Sequence, residues 1–189
     1  MEESNPGPVA SRAPLPAWPL VSVVMPLRDD GLHLREAVEA VLAQDYPGEL
    51  EAVLAVAPSG DGMESAVADL AASDARVRVV ANPGLRTSSG LNAAIAAASG
   101  EVIARVDGHA VVAPGYLRRA AELLVETGAD NVGGIQAAEG QTPFERAVAA
   151  AMTSRLGVGD AKFHYGGKPG PTDTVYLGVF RRDALERVG

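Results

Sequence analysis

The stretch LVSVVMPLRDDGLHLREAVEAVLAQDYPG, residues 20–48, decides the fold. The run over residues 20–25, apolar except for Ser22, is typical of a strand buried on both faces, and Pro26 predicts its end. Apolar residues then recur at helical spacing before the turn at residues 46–48, and they are Leu34, Val38, Val41 and Leu42. The stretch therefore predicts a buried strand followed by an amphipathic helix.

The same alternation of strand and helix continues along the chain. Further strands are predicted at 50–57, 77–80, 101–106, 132–136 and 173–180, and helices at 63–72, 87–98, 114–127, 142–156 and from 181. This order predicts an α/β fold with a mostly parallel, Rossmann-like sheet and helices on both faces. Ligands bind such sheets beyond the carboxyl ends of the strands, here at Pro26–Asp30, Pro58–Gly62, Asn82–Arg86 and Asp107–His109.

The composition excludes several classes of protein. The chain has 189 residues, 47% of them hydrophobic, which is the profile of a globular domain. Acidic residues outnumber basic ones by 24 to 16, for a net charge of -8, and this argues against a nucleic-acid partner. There is no cysteine, so a metal ion would need Asp, Glu, His or water as ligands.

The first 19 residues differ in composition from the rest of the chain. Residues 1–19 hold five of the 13 prolines and no periodic pattern, which predicts a disordered arm ahead of a domain at 20–189. No apolar run reaches the roughly 18 residues of a membrane helix, and no basic flank leads into a secretory signal. We therefore expect a cytoplasmic protein.

A glycine-rich segment at residues 157–172 interrupts the alternation. It contains Lys162, His164, Tyr165 and Lys168, and its length without periodicity is typical of a functional loop or a disordered one. The sequence leaves open whether it folds over a ligand as a lid.

The sharpest chemical signal is RVDGH at residues 105–109, where a strand ends in a carboxylate, a glycine and an imidazole. Asp107 and His109 can turn toward one point and supply part of a Mn²⁺ or Mg²⁺ site, with phosphate oxygens and water completing it. The alternative is that Asp107 caps a turn and His109 is merely exposed.

The sequence contains no P-loop, GxGxxG or GxSxG pattern. This argues against a P-loop nucleotide site, a dinucleotide Rossmann site and a serine-hydrolase site.

Three passages resemble family 2 glycosyltransferases. They are residues 21–48, residues 86–109 (RTSSGLNAAIAAASGEVIARVDGH) and the region from VGG at 132–134 to the end, which is similar to the succinoglycan-type subgroup. The resemblance implies a glycosyltransferase A fold and transfer of a sugar, with inversion, from a nucleotide-diphosphate sugar to a glycan or lipid-linked acceptor. It also implies a role in bacterial surface polysaccharide assembly and a Mn²⁺ or Mg²⁺ cofactor.

The resemblance places the metal at Asp107 and His109. Asp107 matches the first acidic position of the family's D-x-D motif, and His109 stands where the last Asp is usual. Imidazole binds Mn²⁺ with less charge than a carboxylate, so this D-x-H variant is a departure. Arg105 precedes the motif, and it either orients Asp107 or only extends its charge to solvent.

Besides the two metal-binding residues, the resemblance implies that five residues contact the donor. Pro26 and Arg28 align with the loop that packs on the nucleotide, where Arg28 stacks on the base, reaches a phosphate or is a plain surface arginine. Asp30 holds the ribose or the base, or is a helix N-terminal carboxylate without a ligand. Arg86 matches a basic position near the diphosphate, and Asn92 reaches the ribose or braces a loop.

Other positions depart from the family pattern. Residues 56–58 carry no carboxylate where many relatives are acidic, and the Glu-Asp pair that supplies the catalytic base belongs beyond Gly189. The resemblance therefore implies a fragment of a longer enzyme whose missing region could bring membrane association. The alternative is a non-catalytic module that binds a nucleotide-sugar.

Gly133 and Gly134 either form the floor of the sugar pocket, as in the family, or form a β-bulge.

Overall fold

The computed structural model describes residues 13–29, 31–60, 62–138, 140, 142–154, 162–164 and 170–189. Within these ranges lie six strands: β1 Val21–Leu27, β2 Leu50–Val56, β3 Val77–Ala81, β4 Val102–Arg105, β5 Asn131–Gly134 and β6 Tyr176–Arg181. The same ranges hold six α-helices: α1 Leu34–Leu42, α2 Met63–Ser73, α3 Thr87–Ala97, α4 Tyr116–Thr127, α5 Pro143–Met152 and α6 Arg182–Val188.

The strands form one sheet in the order β3-β2-β1-β4-β6-β5. Strands β1 to β4 run parallel, whereas β6 is antiparallel to both of its neighbours, β4 and β5. The predicted mostly parallel α/β sheet is therefore confirmed. Its one reversed strand, β6, is a feature that the alternating pattern did not reveal.

Helices cover both faces of the sheet, as predicted. Side chains from one face of β1 pack with α1, α2 and α4 in a cluster that includes Val21, Val23, Met25 and Leu27. On the other face Val24 packs with residues of α3, β2 and β4, and Leu185 of α6 lies against that cluster. Because β1 is buried on both faces, its residues are apolar without alternation, except for the buried Ser22.

Strand β1 continues through Pro26, so the prediction that this proline ends the strand is wrong. Pro26 is paired in register with Ala55. Odd-numbered residues of β1 exchange backbone hydrogen bonds with β2, as Leu27 O does with Ala57 N at 3.0 Å. Even-numbered residues face β4, where Val24 O accepts from Val106 N at 3.1 Å. Because β4 ends at Arg105, the missing N–H of Pro26 removes no bond of the ladder.

Helix α5 begins as the sequence predicts. Thr142 Oγ1 accepts a hydrogen bond from Glu145 N at 3.2 Å, and Glu145 Oε2 accepts one from Thr142 N at 3.0 Å. This capping box, with Pro143 at the first position, fixes the start of the helix. The predicted end near residue 156 and most of the segment at 157–172 lie outside the described residues.

The predicted proline-rich arm is described only from residue 13. Residues 13–19 form no helix or strand, yet they contact the domain. Trp18 packs edge-on against Tyr46 with ring centroids 5.9 Å apart, and Arg181 Nη2 donates to Ala13 O at 2.7 Å. These contacts extend the packed domain back to Ala13, while residues 1–12 lie outside the described part.

No helix among the described residues has the length and apolarity that a bilayer crossing requires.

Candidate functional site

A cleft of about 500 Å³ opens at the carboxyl-terminal edge of the sheet. It is formed by the segments that follow β1, β3 and β4 together with the start of α3. Its lining consists of Pro26, Leu27, Arg28, Asn82, Leu85, Arg86, Thr87, Arg105, Asp107, Gly108 and His109. This is the edge at which the parallel order of β1, β3 and β4 predicts a ligand.

Positive charge is concentrated in the cleft of an otherwise acidic chain. Arg28, Arg86 and Arg105 line it, against the single carboxylate of Asp107. Helix α3 begins at Thr87, so its first turn adds partial positive charge and backbone N–H groups at the same wall. Such a site favours an anion, and three guanidinium groups suit the oxygens of a diphosphate.

A tight turn between β3 and α3 holds the wall of the cleft in place. Asn82 is 2% exposed, and its Nδ2 donates to Arg86 O at 3.1 Å while its Oδ1 accepts from Ser89 Oγ at 2.7 Å. Arg28 Nη1 donates to Leu85 O at 3.1 Å and ties the β1 loop to this turn. A side chain on Gly90 would come within 2.8 Å of Asn82 Nδ2, so the helix approaches the turn closely.

Arg105 and Asp107 form an ion pair at the end of β4. Arg105 Nε and Nη2 each lie 3.0 Å from Asp107 Oδ1. The Asp107 side chain is 23% exposed and that of Arg105 41% exposed, so the pair faces the cleft without being fully solvated. The structure therefore favours orientation of Asp107 by Arg105, one of the two roles that the sequence left open.

The metal prediction rests on two side chains of the cleft. Asp107 and His109 both line it, and a carboxylate oxygen with an imidazole nitrogen is a donor set that Mn²⁺ accepts. Among the described residues there is no group of three His, Asp or Glu side chains that could hold a metal ion. A metal ion held by these two residues would need further ligands, such as diphosphate oxygens and water, and the metal site stays a prediction.

The structure brings together most of the predicted site residues. Pro26, Arg28, Arg86, Asp107 and His109 all line the cleft, which agrees with their predicted grouping. Their roles toward a ligand stay predictions. Asp30 lies outside the described residues.

Asn92 is not among the residues that line the cleft, and its predicted role toward the ribose or a loop stays a prediction. It is on the exposed side of α3, because Gly90 and Ala94 turn the opposite side toward the sheet. The buried Asn82 takes the position at the wall instead. The sequence places Asn82 in the segment Asn82–Arg86 that is expected at a ligand, but it assigns this residue no role of its own. The segment Pro58–Gly62 also contributes no residue to the cleft lining within its described positions.

The two glycines of β5 form the β-bulge that one interpretation of the sequence predicted. The pairing of β5 with β6 shifts register between Val132 and Gly134. A side chain on Gly133 would meet Val175 Cβ at 2.5 Å, and one on Gly134 would meet the Tyr116 ring at 2.9 Å. The role of these glycines as the floor of a sugar pocket stays a prediction.

The chain belongs to the Glycosyl transferase family 2, whose model matches residues 22–189. The fold and the family resemblance that the sequence predicts are confirmed.

The chain is similar in sequence to two bacterial proteins, ExoA and EpsJ. The chain is 28% identical over 169 residues to the succinoglycan biosynthesis protein ExoA of Rhizobium meliloti, covering 88% of this chain and 51% of that protein. It is 33% identical over 117 residues to the uncharacterized glycosyltransferase EpsJ of Bacillus subtilis, covering 61% of this chain and 33% of that protein. The chain thus spans about half the length of ExoA and a third of EpsJ.

Two solved structures illustrate the likeness in fold. The mannosyltransferase PcManGT of Pyrobaculum calidifontis, in complex with GDP-Man and Mn²⁺, superposes with a TM-score of 0.68 at 24% identity over 95% of this chain and 49% of its own. TarS of S. aureus, residues 1–349 in complex with UDP-GlcNAc, gives a TM-score of 0.60 at 19% identity over 89% of this chain and 47% of its own. These likenesses show the glycosyltransferase A fold.

Proposed function

We propose that the protein binds a nucleotide-diphosphate sugar in the cleft as the donor-binding part of an inverting glycosyltransferase. The observation that carries the proposal is the convergence of Arg28, Arg86 and Arg105 on Asp107 and His109 at the carboxyl-terminal edge. Membership of the family and a neighbour that binds GDP-Man and Mn²⁺ support it. The likeness to ExoA supports a role in bacterial polysaccharide assembly on a glycan or lipid-linked acceptor.

In this proposal the chain's own residues bind and orient the diphosphate. Arg28 and Arg86 offer N–H donors from the β1 loop and the β3–α3 turn, and the first turn of α3 adds backbone donors. Arg105 holds Asp107 by one carboxylate oxygen, which fixes the carboxylate at the cleft. These donors stabilise the negative charge that grows on the leaving diphosphate.

Asp107 and His109 would hold Mn²⁺ or Mg²⁺ against the diphosphate. When bound, the metal ion supplies further positive charge to the leaving group. The acceptor oxygen bonds to the anomeric carbon from the side opposite the departing diphosphate. Its proton passes to a general base.

The test is the binding of UDP and GDP to the wild-type chain and to Asp107→Asn, measured by titration calorimetry with Mn²⁺ and with EDTA. We expect Mn²⁺ to tighten wild-type binding about tenfold or more, and to have no such effect in the variant. Asp69→Asn, an exposed change on α2, is the matched control. Equal Mn²⁺ enhancement in Asp107→Asn and the wild type would refute the metal assignment.

A non-catalytic module that holds the same ligand is the second candidate. It is favoured by residues 56–58, which carry no carboxylate where many relatives are acidic. Release of nucleoside diphosphate from a nucleotide-sugar, followed with a coupled phosphatase, separates the two functions. Turnover that is lost in Asp107→Asn supports the transferase, whereas tight binding without turnover supports the module.

A further inference from the structure

The start of β6 is held in an unusual backbone conformation beside the cleft. Leu177 has a φ of 46°, in the left-handed region that non-glycine residues rarely adopt. Its carbonyl oxygen accepts a hydrogen bond of 2.5 Å from Tyr116 Oη of α4. Burial raises the pKa of Tyr116 to about 12, so this phenol stays a protonated donor at neutral pH. The contact anchors the residue next to Leu177, which is Tyr176.

The pairing of β4 with β6 brings Tyr176 toward Asp107. Val102 is paired with Arg181, and Ala104 with Val179, in an antiparallel register. The paired residues end at Ala104 and Val179, and Asp107 and Tyr176 each lie three residues beyond that last pair, on the same side of it. Paired residues of neighbouring strands carry their side chains on the same face of a sheet.

The face that Tyr176 shares is the one that carries the cleft. Ile103 of β4 packs in the cluster of the α3 face, and Phe180 of β6 is its partner in the ladder. Alternation from these two residues assigns Asp107 and Tyr176 to the same side. Leu177 and Val179, which alternate with Tyr176 and Phe180 along β6, pack against the opposite cluster. The alternation is therefore kept despite the positive φ of Leu177.

Electrostatics agrees with this placement. Burial raises the pKa of the half-buried Tyr176 phenol, the Asp107 carboxylate raises it further, and the Arg105 guanidinium lowers it. The phenol is thus within electrostatic reach of both members of the ion pair.

A nucleotide-sugar is an elongated molecule, so the positions of the charged groups in the cleft bear on its orientation. Arg28, Arg86 and the first turn of α3 lie on the side of β1 and β3, whereas Arg105 and Asp107 lie at the end of β4. A donor whose diphosphate lay between these groups and whose nucleoside lay over β1 would extend its sugar past Asp107 toward β6. Tyrosine suits a sugar, because its ring packs on apolar C–H faces while its hydroxyl bonds to a sugar hydroxyl.

We propose that Tyr176 contacts the transferred sugar of the donor and contributes to the choice of that sugar. The inference rests on the proposed function, since it needs a nucleotide-diphosphate sugar in the cleft. It predicts that Tyr176 affects binding of the sugar portion and leaves binding of the nucleoside diphosphate unchanged.

The experiment compares UDP and GDP with UDP-N-acetylglucosamine and GDP-mannose, titrated calorimetrically in Mn²⁺ into the wild type, Tyr176→Ala and Tyr176→Phe. The readout is the ratio of the dissociation constant of each sugar conjugate to that of its diphosphate. For the conjugate that the wild type prefers, we expect Tyr176→Ala to worsen this ratio about tenfold and Tyr176→Phe by a few-fold. Affinity for the diphosphate alone should stay within about twofold.

Tyr46→Ala is the matched control, because Tyr46 is also half-buried but lies in a separate depression with Gly48 and Glu49. Circular dichroism checks the fold, and Tyr176→Phe keeps the test informative if the alanine variant does not fold. An unchanged ratio in the Tyr176 variants, or an equal loss for diphosphate and conjugate, overturns the inference while the proposed function stands. A wild type that binds none of the four ligands overturns the proposed function and this inference with it.

Discussion

At the amino-terminal edge of the sheet, charged groups are held by short internal hydrogen bonds, whereas at the carboxyl-terminal edge they face the cleft. Glu51 shows the first arrangement: its Oε1 accepts from Ser22 Oγ and from Ser99 N, both at 2.6 Å. Its Oε2 accepts from Arg78 Nη1 at 3.0 Å. The side chain is 13% exposed, and its contacts tie the starts of β1, β2 and β3 to the loop that precedes β4.

The carboxyl-terminal edge instead carries backbone strain. The described residues include three non-glycine positions with positive φ, which are Asp29, Leu85 and Leu177. Asp29 follows β1, Leu85 follows β3 and Leu177 lies at the start of the antiparallel β6, so all three lie at this edge. Such conformations cost of order 1 kcal/mol or more each and concentrate at functional sites. The comparison indicates that one edge stabilises the fold and the other holds groups ready for a ligand.

The largest effect should come from removing positive charge at the cleft. We expect the double variant Arg28→Met/Arg86→Met to lose UDP or GDP affinity about 100-fold or more, because each guanidinium–phosphate contact is worth roughly 1.5–3 kcal/mol. Titration calorimetry measures the loss. Arg35→Met, an exposed change on α1, is the control and should bind as the wild type does. Unimpaired binding by the double variant would mean that the cleft is not the diphosphate site.

The second effect tests how tightly the amino-terminal edge is packed. A side chain on Gly100 would lie 2.6 Å from Leu20 O and 2.7 Å from Ser22 N, which are backbone atoms that cannot move aside alone. We therefore expect Gly100→Ala to lower the free energy of unfolding by about 2–3 kcal/mol in urea denaturation. Gly60→Ala, in the loop after β2 with open space around it, should change stability by less than about 1 kcal/mol. Equal losses in the two variants would contradict the contrast between the edges.

The third effect concerns the charge of Glu51. Burial alone would raise the pKa of this carboxyl group, but hydrogen bonds from Ser22, Ser99 and Arg78 outweigh burial and lower it from its ordinary 4.5. A lowered pKa contributes stability that is complete above the unfolded value and is lost as the pH falls through the folded value. We expect Glu51→Gln to cost about 1–2 kcal/mol at pH 7.

The pH dependence separates charge from packing at Glu51. Urea denaturation between pH 7 and pH 3 should show the wild type losing its advantage over Glu51→Gln below about pH 4.5. Asp45→Asn is a suitable control, because Asp45 also pairs with an arginine, Arg118, but its side chain is 73% exposed. A constant difference between the wild type and Glu51→Gln across this range would show that charge does not contribute.

Local sequence pattern was sufficient to predict the parallel part of the sheet and half of the cleft. Asp107 and His109 are two residues apart in the turn that follows β4, so one short segment brings both to the cleft. Tyr176 could not be found in this way, because it reaches Asp107 only through the antiparallel register of β6, a pairing of residues almost 70 positions apart. Asn82 was missed for a related reason: the sequence shows its turn, but burial of its amide depends on how closely α3 approaches.

The smallest effect tests the strain itself. Leu85 has a φ of 57° and is 43% exposed, so its side chain gains little from burial. Asparagine adopts the left-handed conformation more readily than leucine does, so we expect Leu85→Asn to raise the free energy of unfolding by about 0.5 kcal/mol. That corresponds to a rise in melting temperature of about 1–2 °C for a domain of this size, within reach of differential scanning calorimetry. Leu32→Asn is the control, since Leu32 is an exposed loop leucine without positive φ, and it should give no such rise. If Leu85→Asn lowers the melting temperature, the left-handed backbone is not a cost at this edge, and the three positive φ values do not distinguish it from the other.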